Sequence, residues 1–239
     1  YERVKKTGLE YMMFETSAYH AACYAMRVAY ESGALGKIIY AEGQYYHYFP
    51  TPLASYGKWR TGIPPMWYPT HSTAYYVAVT GQSFTKVSCQ GFRGQIPHFQ
   101  PEANCYKNPF DSEVALFQTS EGGSARMSVC WGMRGSAGET GLVHGELGRM
   151  NGTSFSPEED RPNLPDLSKP PLPPGMDAGG HDGSHGYLTN EFVTALLENR
   201  TPLINIALSL NMTVPGIIAH QSALKDGELL TVPQYSWPA

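Results

Sequence analysis

The stretch HDGSHGYLTNEFVTALLENRTPLINIALSLNMTVPGIIAHQSALKDGELLTVP, residues 181–233, decides how this chain is read. Leu188, Phe192, Ala195 and Leu196 recur at helical spacing and predict a helix. Asn199-Arg200-Thr201-Pro202 ends it, because proline removes a backbone donor and pushes the preceding residue out of the helical region. A second apolar helix runs to Lys225-Asp226-Gly227, and a short strand ending at Val232-Pro233 follows. Gly180, Gly183 and Gly186 make the lead-in a loop, so the i, i+4 spacing of His181 and His185 carries no helical geometry.

Working back from there, Tyr1 to Thr7 reads as the end of a helix stopped by Gly8, Leu9 to Phe14 as a short strand, and Ala18 to Ser32 as a helix that Gly33 terminates. Ile38 to Tyr48 alternates as a long strand, with Ile39, Ala41, Gly43 and Tyr45 on one face and Tyr40, Gln44, Tyr46 and Tyr48 on the other. Pro50 to Pro65 is a loop rich in proline and aromatics, and Pro69 fits the first turn of a helix that runs to Val79 and stops at Gly81. Val87 to Phe92, Glu113 to Thr119, Ala125 to Trp131 and Thr140 to Leu147 read as strands; Ala125, Met127, Val129 and Trp131 share one face. Strands in a run between helices predict an α+β fold, one open, mostly antiparallel sheet with helices packed on one face, as a single domain over 1–239. Seven prolines from Pro157 to Pro174 predict an irregular excursion at about 151–180.

The 239 residues are 41% hydrophobic and 16% charged with a net charge of -4, a balance that argues against nucleic acid as a partner. No apolar run approaches the roughly 20 residues of a membrane span. Cys23, Cys89, Cys105 and Cys130 form no Cys-x-x-Cys pair, which signals neither a zinc knuckle nor a disulfide framework and fits buried thiols in a reducing, cytoplasmic compartment.

The order of elements from His181 to Pro233 resembles the C-terminal end of the glucose-fructose oxidoreductase / inositol dehydrogenase / rhizopine catabolism superfamily. Tyr1 to Thr7 resembles the tail of the helix that follows the family's Glu-Lys-Pro motif. The resemblance implies the substrate and oligomerisation domain of a sugar or polyol oxidoreductase, a homo-oligomer through sheet faces, and NAD(P) as the cofactor of the full-length family. The N-terminal dinucleotide-binding domain is expected to be absent. No two of the 25 glycines are two residues apart, so no Gly-x-Gly turn exists to cradle a pyrophosphate, and Glu-Lys-Pro is missing too. No tight dinucleotide binding is therefore expected of this chain alone.

Carried onto this sequence, the resemblance makes His71 the acid/base group, just inside the helix after the proline- and aromatic-rich loop. Many relatives place an aspartate four residues earlier, where Trp67 stands, and another acid soon after, where Thr73 and Ala74 stand, so no local carboxylate orients the ring. A helix N-terminus disfavours imidazolium, which predicts a neutral base. Trp59, Trp67 and Tyr68 offer flat faces for sugar rings, while Arg60, Thr70, His47, His181 and His185 can fix hydroxyls. His20, His98 and His220 match none of the family's site segments. Two other readings stay open: a stand-alone glycosidase or lyase acting on sugars or keto-sugars, with a metal held by His47, His71, His181 or His185 and Glu15, and a non-catalytic carbohydrate-binding domain.

Overall fold

The computed structural model describes residues 1–52, 54–135, 138–157 and 164–237. Its strands are β1 (Ile38–Tyr46), β2 (Phe84–Phe92), β3 (Ser112–Thr119), β4 (Ser124–Cys130), β5 (Gly138–Gly145), β6 (Gly148–Asn151), β7 (Ser154–Pro157) and β8 (Leu230–Thr231). They form one sheet in the order β7-β6-β5-β1-β4-β3-β2-β8. β1 and β4 run parallel, and every other neighbouring pair is antiparallel. The helices are α1 (Glu2–Thr7), α2 (Ala21–Glu31), α3 (Thr70–Thr80), α4 (Gly180–Leu197) and α5 (Ile206–Ala223).

The α+β expectation holds. α3 lies across β1, β4 and β5, α5 lies across β2 and β3, and α2 packs outside α3. Every residue of α3 from Ser72 to Thr80 is buried, so only its first turn reaches a surface. Ala125, Met127, Val129 and Trp131 share the covered face as their alternation demands. Gly43 lets α3 approach β1 closely, since a Cβ there would sit 1.9 Å from the Ser72 carbonyl oxygen. The opposite face of the sheet is open, with Phe92, Val114 and Leu116 exposed on it.

Four expectations need correction. Leu9 to Phe14 pairs with no strand and is tied down by the bond from Met13 N–H to the Ile204 carbonyl (3.0 Å). The helix expected from Ala18 is split: a 3-10 turn, Thr16–Tyr19, ends where extended His20 becomes the N-cap of α2. A register shift between Ile38 and Tyr40 turns Ile39 outward, 56% exposed, and leaves Ile38 and Ala41 inward. The excursion expected from 151 begins later, because β6 and β7 first extend the sheet; Pro157 stands on the outermost strand, where a missing donor is tolerated. Residues 158–163 lie outside the described residues, and 164–179 form no strand or helix.

Candidate active site around His71

Burial of α3 leaves His71 at the first turn, where the helix meets the end of β1 and the start of β5. Tyr45 of β1 is paired in register with Glu139 of β5, so both side chains leave the sheet on the α3 side. The Tyr45 ring centroid lies 4.7 Å from that of His71. From the other direction comes the segment Glu15-Thr16-Ser17, whose turn Glu15 caps by accepting from Ser17 N–H at 2.9 Å.

These elements build a network of buried acids and imidazoles. His71 Nδ1 lies 2.7 Å from Glu15 Oε1, 2.9 Å from Ser17 Oγ and 3.6 Å from Glu139 Oε1. The Ser17 hydroxyl donates to Glu139 Oε2, and His20 Nδ1 lies 3.1 Å from the same oxygen. A carboxylate can only accept, so Nδ1 of His71 carries a proton and Nε2 is the ring atom left for a ligand. Nε2 makes no hydrogen bond among the described residues.

The electrostatics run against the expectation of a neutral base. Burial draws the proton affinity of His71 down, but the Glu15 carboxylate, by charge and by hydrogen bond, and then Glu139 outweigh it and hold His71 above its ordinary value. Burial pushes the Glu15 carboxyl up; the His71 charge and hydrogen bond, the Thr70 hydroxyl and the Ser17 N–H hold it well below the carboxylate range. Glu139 is likewise lowered against burial by His20, His71 and Ser17. Contact with two acids outweighs the dipole of one helix end.

Around the ring stands a wall of aromatics. Tyr68 lies 5.2 Å from His71, and the Arg60 guanidinium sits 4.6 Å over the Tyr68 ring and 5.6 Å over Trp59. His47 stacks on Phe49 at 4.0 Å and meets Tyr45 at 6.1 Å, its proton affinity lowered by burial and by Arg60. A crevice beside this wall is lined by Phe49, Thr51, Pro52, Arg60, Ile63, His98, Phe99 and Trp131. His71, Thr70, Tyr68, Arg60 and His47 thus gather in one place. Trp67 does not share it: its ring meets Tyr106 at 5.4 Å and His220 at 5.9 Å instead.

His181 and His185 come together although their lead-in is no regular helix. Positive φ at His181, Asp182 and Gly183 folds the chain back, and His181 Nδ1 lies 2.8 Å from His185 Nε2. Asp182 Oδ2 accepts from Ala21 N–H at 3.2 Å, and Lys169 Nζ donates to the Tyr19 carbonyl at 2.9 Å and the Asp182 carbonyl at 3.0 Å. That turn therefore braces the segment carrying His20, while no contact among the described residues joins the imidazole pair to His71.

Sequence reasoning weighed Glu15 only as a metal ligand and passed over Ser17, His20 and Glu139. The usable signals were a glutamate ahead of Thr-Ser at a turn and an acid in a strand opposite Tyr45. His220 stands apart from the His71 cluster: its Nδ1 lies 2.7 Å from Glu113 Oε1, both side chains are buried, and Glu113 Oε2 accepts from Met66 N–H at 2.7 Å. This pair anchors the segment that leads to His71. The metal set of His47, His71, His181, His185 and Glu15 is not assembled, since among the described residues no group of three or more His, Cys, Asp or Glu is arranged to hold a metal. Among the described residues no strand passes through a glycine turn directly into a helix N-terminus, the element that cradles a pyrophosphate.

No protein-family model matches the sequence, and no curated protein matches it. Solved structures do match. An oxidoreductase domain protein from Kribbella flavida is 15% identical with a TM-score of 0.69, covering 98% of this chain and 68% of its own. A levoglucosan dehydrogenase complexed with NADH and L-sorbose is 17% identical with a TM-score of 0.68, covering 98% of this chain and 69% of its own. An inositol dehydrogenase homolog from Azotobacter vinelandii, complexed with NADH and myo-inositol, is 17% identical with a TM-score of 0.68, covering 96% and 66%. Along nearly its whole length, the chain therefore has the fold of part of these solved oxidoreductases.

Proposed function

We propose that this chain is the substrate-handling part of a nicotinamide-dependent sugar or polyol oxidoreductase. The observation that carries the reading is His71, whose Nδ1 is anchored on buried Glu15 while Nε2 makes no hydrogen bond among the described residues and the ring stands against Tyr45 and Tyr68. In this role Nε2 exchanges a proton with the sugar oxygen, and Glu15 keeps the ring in place throughout. Tyr68, Tyr45 and His47 give the sugar flat walls, and Arg60 and Thr70 reach its hydroxyls. The nicotinamide, which accepts or donates the hydride in such enzymes, would be held by residues outside this sequence. The ligands of two structural neighbours, L-sorbose in the levoglucosan dehydrogenase and myo-inositol in the inositol dehydrogenase homolog, support a sugar or polyol as the substrate class. The glycosidase or lyase alternative gains no support from the acids, because Glu15 and Glu139 both serve the imidazoles rather than flanking an open space.

The four cysteines are free and three of them are buried, which supports a reducing, cytoplasmic location. The open sheet face supports a homo-oligomer. The test of the function is turnover: the chain joined to a dinucleotide-binding half, offered a panel of sugars and polyols with NAD+ or NADP+, should oxidise at least one. Absence of turnover together with absence of sugar binding overturns the reading.

A further inference from the structure

Two carboxylates converge on one imidazole. Glu15 and Glu139 approach His71 Nδ1 to 2.7 and 3.6 Å, and all three side chains are 12% exposed or less. Ser17 joins the acids, its N–H on Glu15 and its hydroxyl on Glu139. His20 holds the far side of Glu139, and its own Nε2 is buried without a partner. A carboxylate only accepts, so His20 meets Glu139 through its Nδ1–H.

Both buried carboxylates therefore face the His71 ring, and with that ring neutral the charge nearest to them is left without its counter-charge. One proton on His71, the group that faces both acids, relieves that cost. The surroundings do not reverse the balance. Thr70 on the same helix adds a hydroxyl, Tyr45 and Tyr68 are neutral rings, and Cys23 of α2 stays a thiol because burial pushes it to about 12. Asp182 adds a further negative charge on the α2 N-terminus. Arg27 binds the Ala18 carbonyl at 3.1 Å, and Arg60 opposes the proton from across the aromatic wall, more weakly than the acids favour it.

We propose that His71 rests as an imidazolium whose Nε2–H is the group offered to the substrate, and that the site is built for an oxygen that accepts this hydrogen bond, the carbonyl of a keto- or aldehydo-sugar, in preference to a hydroxyl that must surrender its proton. The substrate class rests on the sugar reading above; the charge state rests on the acids alone. Glu139 and His20 are then positioning residues, the first a second counter-charge and the second its clamp.

Histidine side-chain 1H–15N spectra of the intact 239-residue chain, recorded from pH 5 to 9 with His71→Asn for assignment, test this directly. Both ring nitrogens of His71 should be protonated at pH 7, and Glu139→Gln and Glu15→Gln should each move its midpoint down, Glu15→Gln further. A His71 that is already neutral at pH 7 in the unaltered chain overturns the inference, whatever the variants do. Dihydroxyacetone and glycerol serve as matched carbonyl and alcohol probes. At pH 7 the ketone should shift the His71 Nε2 signal at roughly tenfold lower concentration than the alcohol, since charge-assisted hydrogen bonds are about twice as strong as neutral ones. That preference should fade above the midpoint; equal response to both probes overturns the carbonyl assignment. A charged His71 that responds to no sugar or polyol overturns the functional reading instead, and a neutral His71 that does respond overturns this inference alone.

Discussion

At the scale of single residues, the site is governed by which acids reach His71. In the chain joined to a dinucleotide-binding half, His71→Asn should lose roughly 10²- to 10⁴-fold in turnover per folded molecule, the usual contribution of a general acid/base, and should also be less stable because Glu15 and Glu139 lose their partner. An active His71→Asn enzyme would remove the catalytic assignment. The same contacts predict a pH signature in stability. Glu15, lowered in the folded state, stabilises above its ordinary 4.5 and loses this as pH falls through its folded value near 2. His71, raised, stabilises below its ordinary 6.5 and loses this as pH rises through its folded value. The pair therefore contributes fully between 4.5 and 6.5. Thermal unfolding of Glu15→Gln should show its largest deficit near pH 5.5, about 3–5 kcal/mol for a broken buried pair, shrinking toward pH 9. A deficit that is flat across this range would show that the two groups are not ionised together. His20, which matches none of the family's site segments, also enters at this scale: His20→Asn removes the clamp on Glu139 and should move the His71 titration.

At the scale of elements, the position of His71 depends on how closely α3 can lie on β1. Gly43→Ala places a methyl 1.9 Å from the Ser72 carbonyl oxygen and 2.8 Å from Met127 Sδ, and backbone cannot yield as a side-chain tip does. The expected cost is at or above the upper end of the usual 1–3 kcal/mol for overpacking, read as a lowered unfolding midpoint. Gly81→Ala is the informative control. Gly81 closes α3 at φ 69 with open space around its would-be Cβ, so only backbone strain of about 1–2 kcal/mol applies. Equal losses for the two variants would mean that the close approach of α3 and β1 is not what sets the cost. Much of this level was legible in the sequence: α3 with its Gly81 stop, the inward face of β4, and the two closing helices all stand where periodicity and punctuation put them. The misses were extended segments such as Leu9 to Phe14, because whether an extended chain becomes a strand depends on a partner that its own residues do not name.

At the scale of the whole molecule, two expectations concern what the chain meets. Calorimetric titration with all four nicotinamide dinucleotides should show no tight binding; a dissociation constant near 1 μM, about 8 kcal/mol, would overturn that expectation. The open sheet face, with Phe92, Val114 and Leu116 exposed, should mediate self-association. Light scattering at micromolar concentration should report a dimer or larger, and Leu116→Lys should shift it toward monomer. A monomeric mass for the unaltered chain would count against this use of the face.

Hydrophobic period and proline and glycine punctuation are local properties, and they were enough to reach the α+β sheet and the helix that carries His71. The acids that decide what His71 does lie 56 residues before it, at Glu15, and 68 after it, at Glu139, by simple subtraction of positions. No spacing rule links positions so far apart. Folding brings them together because β1 and β5 pair in register and the turn at Glu15 packs on the first turn of α3, so the charge at the site is a property of packing and became readable only in the tertiary structure.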